Sequence, residues 1–311
     1  MTGNDERTSP ARSWVGAGLA PDALASLRED LPATQLWSLL LDVVERRAAQ
    51  RTATELARQW EADRFVAPSY VDQRTLNELD RELLAAADAF ESVELSPLAP
   101  LAVCSAVAPT SQNRVVATTR GAEVVSDPSN VLALESAKRL RTDPGAVVKL
   151  ATSQRCVRAQ EVPAVPGFAA HFRMFCMTTA GREQPEHALT IDAFVEHMRV
   201  HLRALDRLEQ RGYRFPERRA KLLSTPPCER LAQRIAARLG ELAFTHEPLT
   251  HRYYNNGLRF MISARASDGQ HIPLIDGGAF DWVAQLAANR KLVFVASAIG
   301  SQLAAHLFRA R

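Results

Sequence analysis

The chain has 311 residues, of which 46% are hydrophobic and 23% charged, and its formal net charge is +3. This composition is ordinary for a soluble globular protein, and the length is sufficient to bury a large core. The charge is too mild to demand a nucleic-acid partner, and the longest apolar stretches, such as residues 36–44, are too short to span a bilayer.

The N-terminal segment, residues 1–12, is polar and carries charges of both signs. It lacks the apolar core of a signal peptide, so we expect a disordered start through residue 20 and a cytoplasmic protein. Nothing in this segment predicts attachment to a membrane.

The four cysteines are widely spaced and form no Cys-x-x-Cys pair. This spacing predicts reduced, mostly buried thiols and argues against a structural zinc site. Cys104 would act as a nucleophile only if folding supplied His171 or His251 as a base. A buried and inert thiol is the simpler interpretation of Cys104.

The first half of the chain begins with apolar side chains at helical spacing over residues 36–60, which predict a long helix. Residues 64–71 follow as an extended run with Pro68, a residue better tolerated in an edge or interface strand than in a central one. The next predicted elements are a helix at residues 76–90 and strands at residues 93–107 and 113–125.

The second half begins with a helix that Asp127 caps and Pro128 starts, ending near residue 140. The elements predicted next are strands at residues 147–152, 155–161 and 172–178 and helices at residues 191–210 and 229–239. Short apolar runs broken by Gly, Asn or Asp then predict consecutive antiparallel strands within residues 252–260, 274–282 and 295–300. The order predicts an α/β protein of the α+β type, with a mixed, mostly antiparallel sheet flanked by helices.

Two segments of the second half have a distinctive pattern of cations and aromatic residues. Residues 155–161 read Arg-Cys-Val-Arg-Ala-Gln-Glu, and residues 171–175 read His-Phe-Arg-Met-Phe. An arginine on a rigid strand can bind a carboxylate or a phosphate through its planar fork. With the Tyr-Tyr and Gly-Gly segments farther on, the order resembles the catalytic domain of class II aminoacyl-tRNA synthetases, the histidyl branch most closely.

That resemblance implies roles for particular residues. Arg158 would orient the substrate carboxylate and the α-phosphate of ATP, and His171 or Arg173 would hold the outer phosphates. Phe175 would stack on adenine. The resemblance also implies one catalytic domain over residues 21–311, with a helical insertion at about 190–240 and no anticodon-binding domain.

The predicted substrate side comprises Asp127, Asn130, Gln160, Tyr253, Tyr254 and Asp276. The acid and amide suit an ammonium or amide group, although Asp127 can equally serve only as a helix cap. Gln160 replaces the family's glutamate. Tyr253 and Tyr254 would alternate faces on a strand, so at most one is expected in the pocket.

Two departures fall on residues that hold phosphate in the family. Ala279 stands in the Gly-Gly segment and Gln302 in the last helix, where the family has arginines. Loss of fixed cations weakens binding of a triphosphate, so we expect ATP with magnesium to be held weakly. The arginine before Tyr253 is out of register, so histidine specificity is not supported.

Two functions follow from the resemblance. One is a stand-alone synthetase paralogue that acts on a small amino-acid-like carboxylate by adenylation or a related acyl or amide transfer. The alternative is a non-catalytic, small-molecule-sensing subunit resembling the regulatory subunit of ATP phosphoribosyltransferase. The expected partners are an amino-acid-like ligand and a second copy of the chain, paired through residues 36–60 and the Pro68 strand, with a partner protein or a tRNA acceptor end left open.

Overall fold

The computed structural model describes residues 21–161, 167–240, 242–266 and 269–309. The predicted disordered segment, residues 1–20, lies outside the described residues. The chain divides into two compact units, one of residues up to Arg58 with Thr119–Gly121, the other of Gln59–Thr118 with Ala122–Arg311. Among the described residues, no helix is long and apolar enough to cross a membrane.

The first unit is helical and contains α1 (Pro21–Ala25), α2 (Ala33–Ala49) and most of α3 (Ala53–Ala62). The single helix predicted over residues 36–60 is therefore two helices. The break has a local cause: the Thr52 backbone N–H donates to Glu55 Oε2 at 2.7 Å, and the Glu55 N–H donates to Thr52 Oγ1 at 3.3 Å. This reciprocal capping box starts a new helix.

The extended strand predicted at residues 64–71 is absent, since this segment forms turns. The backbone N–H groups of Val66 and Ala67 donate to the carbonyl of Asp63, which curls the chain instead of extending it. The helix predicted at residues 76–90 is present as α4 (Gln73–Ala86), which begins three residues earlier because Asp72 caps it, its side chain accepting from two backbone N–H groups.

The second unit is built on strands. They are β1 (Glu91–Ser92), β2 (Leu98–Pro100), β3 (Ala122–Val124), β4 (Val148–Val157), β5 (His171–Arg182), β6 (Arg219–Ser224), β7 (Phe244–Pro248), β8 (Leu258–Arg265), β9 (His271–Phe280) and β10 (Leu292–Ile299). Its other helices are α5 (Pro128–Thr142), α6 (Ala188–Glu209), α7 (Glu229–Ala237), α8 (Trp282–Leu286) and α9 (Ser301–Leu307).

The main sheet has eight strands in the order β1-β4-β5-β10-β9-β8-β6-β7. The outer pairs β1–β4 and β6–β7 are parallel, and the pairs between them are antiparallel. The predicted fold class is thus confirmed. Strands β1, β6 and β7 were not predicted, and β6 lies inside the region expected to be a helical insertion.

Helices cover the two faces of the sheet differently. On one face, termed the helix face, α4, α6 and α7 pack their Leu79, Phe194 and Ile235 into one core with strand residues such as Val295. On the other, termed the cavity face, α5 packs against part of the sheet and buries Leu132. The rest of the cavity face carries the cavity described below.

Two fully buried histidines of α6 lie on the helix face. His197 Nδ1 and His201 Nε2 are each 2.9 Å from Ser297 Oγ on β10, and His197 Nε2 is 3.0 Å from Thr179 Oγ1. Burial lowers the pKa of His201 to about 3 and that of His197 well below its usual value. Both imidazoles are therefore neutral at pH 7 and act as hydrogen-bonding links between α6 and the sheet.

Candidate functional site

A cavity of about 320 Å³ opens on the cavity face over the central strands. This volume is within the range of small-molecule sites, roughly 300–1,000 Å³. Strands β9 and β10 contribute to its floor, and its walls come from the start of α5, the end of β4 and the turn before β8. Seven of the predicted site residues line it: Asp127, Asn130, Arg158, Gln160, Tyr253, Tyr254 and Asp276.

Arg158 lies one residue beyond the end of β4, and three contacts fix its side chain. Its Nε donates to the Ser126 carbonyl at 3.0 Å, and its Cζ lies 5.0 Å from the ring centre of Phe172. One terminal nitrogen is 3.6 Å from Asp127 Oδ2, longer than a hydrogen bond. The guanidinium is thus held in place while donors on its outer edge remain available for an anion.

Asp127 is both a helix cap and a wall of the cavity. Its Oδ1 accepts from the Ser129 backbone N–H at 3.0 Å, as a cap does, and its Oδ2 accepts from the Tyr253 hydroxyl at 3.0 Å. Burial and the neighbouring carboxylate raise the pKa of Tyr253 well above its usual value, so the phenol stays protonated and donates. The two interpretations of Asp127 are compatible.

Asn130 presents an unpaired acceptor to the cavity. The residue is 2% exposed, and its Oδ1 has no hydrogen-bond partner among the described residues. A buried acceptor without a partner is costly, and a ligand N–H group would satisfy it. Asn130 and Asp127 therefore suit an ammonium or amide group, and Arg158 lies beside Asp127 in the same wall of the cavity.

The predicted strand at residues 252–260 begins later, at Leu258, so Tyr253 and Tyr254 lie in the preceding turn. Both line the cavity, and the expectation that only one would do so is wrong because strand alternation does not apply in a turn. Gly278 allows this arrangement: a Cβ there would lie 2.4 Å from the Tyr254 ring.

Asp276 on the cavity floor is already paired. Arg259 donates to both of its carboxylate oxygens, at 3.0 and 2.6 Å, and places its Cζ 4.6 Å from the centre of the Tyr254 ring. The pair is bidentate, so this carboxylate has less capacity for a cationic ligand than Asp127.

Three predicted ATP contacts, His171, Arg173 and Phe175, face away from this cavity. Phe175 is completely buried in the helix-face core, and Arg173 Nε donates to Asp80 at 2.9 Å. His171 Nδ1 contacts Arg155 at 3.0 Å. The assignment of these three residues to the pocket of Arg158 is therefore corrected.

The predicted contacts on β5 are wrong by one residue, which places their side chains on the other face of the strand. Opposed residues of an antiparallel pair share a face, and Cys156 pairs with Phe172 while Gln154 pairs with Met174. The side chains on the face of Arg158 are therefore Phe172 and Met174. Met174 lines the cavity and Phe172 lies under the Arg158 guanidinium.

The positions of the two missing family arginines are also outside the cavity. Ala279 is 3% exposed and belongs to the helix-face core. Gln302 is 1% exposed, and its Oε1 accepts from Ser69 Oγ at 3.3 Å. Neither residue lines the cavity.

Cys104 and Arg114 are among the lining residues that the sequence did not predict as ligand contacts. Cys104 was interpreted as a buried thiol, which it is, but it also reaches the cavity wall. Burial, with Glu123 adding to it, raises the pKa of Cys104 to about 12, so the thiol is protonated and unsuited to nucleophilic attack. Arg114 was not considered, and no local motif marks it.

No protein-family model and no curated protein matches the sequence. Among solved structures with a similar fold, an ATP phosphoribosyltransferase regulatory subunit/histidyl-tRNA synthetase from Bacillus halodurans superposes with a TM-score of 0.58. It is 12% identical, and the match covers 78% of this chain and 81% of that one. A histidine–tRNA ligase subunit from Alicyclobacillus acidocaldarius gives a TM-score of 0.57 at 15% identity, covering 78% and 95%.

The apo histidyl-tRNA synthetase of S. aureus gives a TM-score of 0.53 at 11% identity. The match covers 74% of this chain but only 64% of that one, so this chain spans less than two thirds of that synthetase. The predicted class II synthetase-like fold is confirmed. Likeness at such low identity shows the fold alone.

Proposed function

We propose that this protein binds a small amino-acid-like carboxylate in the cavity and works as a non-catalytic, ligand-sensing regulatory subunit. The observation that supports binding is the mixed charge of the wall, where Arg158 lies 3.6 Å from Asp127 and Asn130 lines the same cavity. The first suits a carboxylate and the other two an ammonium group, the pattern that an α-amino acid presents.

The regulatory role is favoured over catalysis because the three residues predicted to bind ATP are not among the lining residues of the cavity. His171, Arg173 and Phe175 lie on the helix face, and Arg173 is held by Asp80. A synthetase needs cations fixed around the triphosphate as charge develops. One solved structure of similar fold is named as an ATP phosphoribosyltransferase regulatory subunit/histidyl-tRNA synthetase, which supports the same choice.

The binding proposal is tested by titrating the protein with each of the twenty L-amino acids in a calorimeter. We expect one amino acid, or a chemically related few, to bind with a dissociation constant in the micromolar to millimolar range. Heat signals indistinguishable from buffer for all twenty would refute the proposal.

ATP with magnesium is expected to bind weakly or not at all in the same calorimeter. The reason is the placement of His171, Arg173 and Phe175 away from the cavity, together with the uncharged Ala279 and Gln302. Micromolar affinity for ATP with magnesium would contradict this prediction and would favour an enzyme.

A second candidate, adenylation of the bound carboxylate, keeps support from Arg158. It lies just beyond β4 on the cavity face, where it could orient a carboxylate for attack on a phosphate. Exchange of radioactive pyrophosphate into ATP, dependent on the bound amino acid, distinguishes this candidate. Exchange above background selects the enzyme, and its absence with a tightly bound amino acid selects the regulator.

We expect the protein to be a homodimer that pairs through α2 and α3. Leu39, Val43, Val44 and Leu56 of these helices are 43–53% exposed, and α2 has no buried residue. A row of exposed apolar side chains on a helix is stabilised when a second copy covers it. Sedimentation at micromolar concentration checks this, and a wild-type monomer would contradict it.

The double variant Val43→Glu, Val44→Glu should convert the dimer to a folded monomer, because charges would replace the apolar contact. Asp42→Ala is the matched control on the same helix. Asp42 pairs with Arg46 within α2, so its loss should leave the dimer intact.

A further inference from the structure

We propose that the ligand has a second acidic group and that Arg114 binds it, which makes the ligand an acidic amino acid or a close relative. The inference rests on the proposed function, since it specifies the ligand of the same cavity. Its basis is the presence of Arg114 in the cavity wall and the balance of charge among the lining residues.

Arg114 enters the cavity beside Arg158. It ends a short 3₁₀ turn, Gln112–Arg114, and its carbonyl accepts from the Ala159 backbone N–H at 2.8 Å. The two arginines thus come from adjacent backbone segments although their positions in the sequence differ by 44 (158 − 114). Arg114 is exposed, so it stands at the mouth of the cavity, where an incoming ligand meets it first.

The carboxylates of the cavity are already compensated. Arg259 binds both oxygens of Asp276, and Asp127 accepts its cap and phenol hydrogen bonds with Arg158 3.6 Å away. Among the described residues, none forms an ion pair or a hydrogen bond with the guanidinium of Arg114. Three guanidinium groups therefore act on two carboxylates, which leaves one positive charge in excess.

The other titratable groups of the cavity do not offset this charge. Burial raises the pKa values of Tyr253, Tyr254 and Cys104, so all three are neutral at pH 7. Glu123 lies behind Cys104, where it accepts hydrogen bonds from two backbone N–H groups and from Gln112. It is 1% exposed and is not among the lining residues.

A neutral amino acid would use one carboxylate for Arg158 and leave Arg114 without an anion. An amino acid with an acidic side chain supplies an anion to each of the two arginines and offsets the excess positive charge. Bidentate pairing of a guanidinium with a carboxylate or phosphate is among the stronger polar contacts in proteins. The inferred ligand class is thus a zwitterion with one further negative charge.

The test compares matched pairs of ligands, in each of which one member carries the second acidic group and the other does not. L-Glutamate is measured against L-glutamine, and L-aspartate against L-asparagine, by calorimetry with the full chain. O-phospho-L-serine against L-serine distinguishes a phosphate from a carboxylate as the second acid. We expect the acidic member of at least one pair to bind about tenfold tighter or more.

Arg114→Gln should reduce this preference toward unity, because its main effect falls on the acidic ligand. Arg141→Gln, at an exposed arginine in the last turn of α5 and away from the cavity, is the matched control and should keep the preference. Far-ultraviolet circular dichroism checks that both variants are folded.

Equal affinities within every pair, or an amide that binds more tightly than its acid, would overturn the inference while leaving amino-acid binding intact. So would an Arg114→Gln variant that weakens both members of a pair equally. Absence of binding by every amino acid in the panel is a different result, since it refutes the proposed function itself.

Discussion

Arg158→Ala is expected to weaken binding of the cavity's amino acid by roughly tenfold to a hundredfold, while the protein stays folded. A hydrogen bond to a charged group contributes about 1.5–3 kcal/mol, and Arg158 is positioned to offer its outer edge to a carboxylate. Its side chain is 32% exposed, so removing it opens no closed void. Calorimetry gives the change in affinity, and thermal melting verifies the fold.

Arg155→Ala is the matched control for this variant. Arg155 is on β4, three residues before Arg158, but its Nη1 contacts His171 on the helix face. Its loss should leave ligand affinity unchanged. Arg158→Lys separates charge from shape, because lysine keeps the charge and lacks the planar fork. An Arg158→Ala variant with wild-type affinity would show that Arg158 is only a wall residue.

The parts of the fold that the sequence predicted are those with strong local signals. Asp127 and Pro128 start α5 because a capping side chain and a proline without an N–H both suit a first helical turn. The apolar runs near the C-terminus gave β9 and β10, since alternation and glycine or aspartate breaks are visible locally.

The predictions of site residues failed where the placement of a side chain depends on strand register or on a contact between residues distant in sequence. A shift of one residue moves every side chain of a strand to the other face, and the sequence between β4 and β5 does not state which residues oppose each other. Knowing that Cys156 pairs with Phe172 would have placed Phe172 with Arg158 and excluded Phe175.

Arg114 illustrates a second kind of failure. No spacing connects it to Arg158, and they meet only because the Ala159 N–H bonds to the Arg114 carbonyl. The seven cavity residues that were predicted have in common a resemblance to known motifs, which Arg114 lacks. Contacts created by topology, with no local pattern, require the folded structure.

The second large effect that we expect is a loss of stability in mild acid, caused by His197 and His201. Burial holds the pKa of His201 at about 3 in the folded protein and lowers that of His197 well below its usual value, whereas an unfolded histidine has a pKa near 6.5. As pH falls through about 6.5, the unfolded chain binds protons that the folded protein does not. The stabilisation is thus complete above pH 6.5 and is lost between about 6.5 and 3.

The free energy of unfolding can fall steeply with pH, because each such histidine lowers it by about 1.4 kcal/mol for every pH unit below the pKa of the unfolded chain. Two histidines would remove roughly 3–4 kcal/mol between pH 6.5 and 5, against a typical total stability of about 5–15 kcal/mol. This interval lies above the range in which most carboxylates titrate, so the two effects separate. Urea denaturation at pH 5, 6, 7 and 8 measures the slope.

His201→Leu should reduce the number of protons taken up on unfolding by about one, which flattens the dependence of the unfolding free energy on pH. This holds even if the variant is less stable at every pH. Leucine cannot titrate, and Ser297 Oγ keeps its contact with His197 at 2.9 Å. His246→Gln, at an exposed histidine of β7, is the control and should follow the wild-type slope. A His201→Leu curve parallel to wild type from pH 8 to 5 would mean that His201 takes up its proton without leaving the folded state. In that case the link between α6 and β10 would accommodate a charged imidazole, and the acid sensitivity of the protein would have to come from other groups.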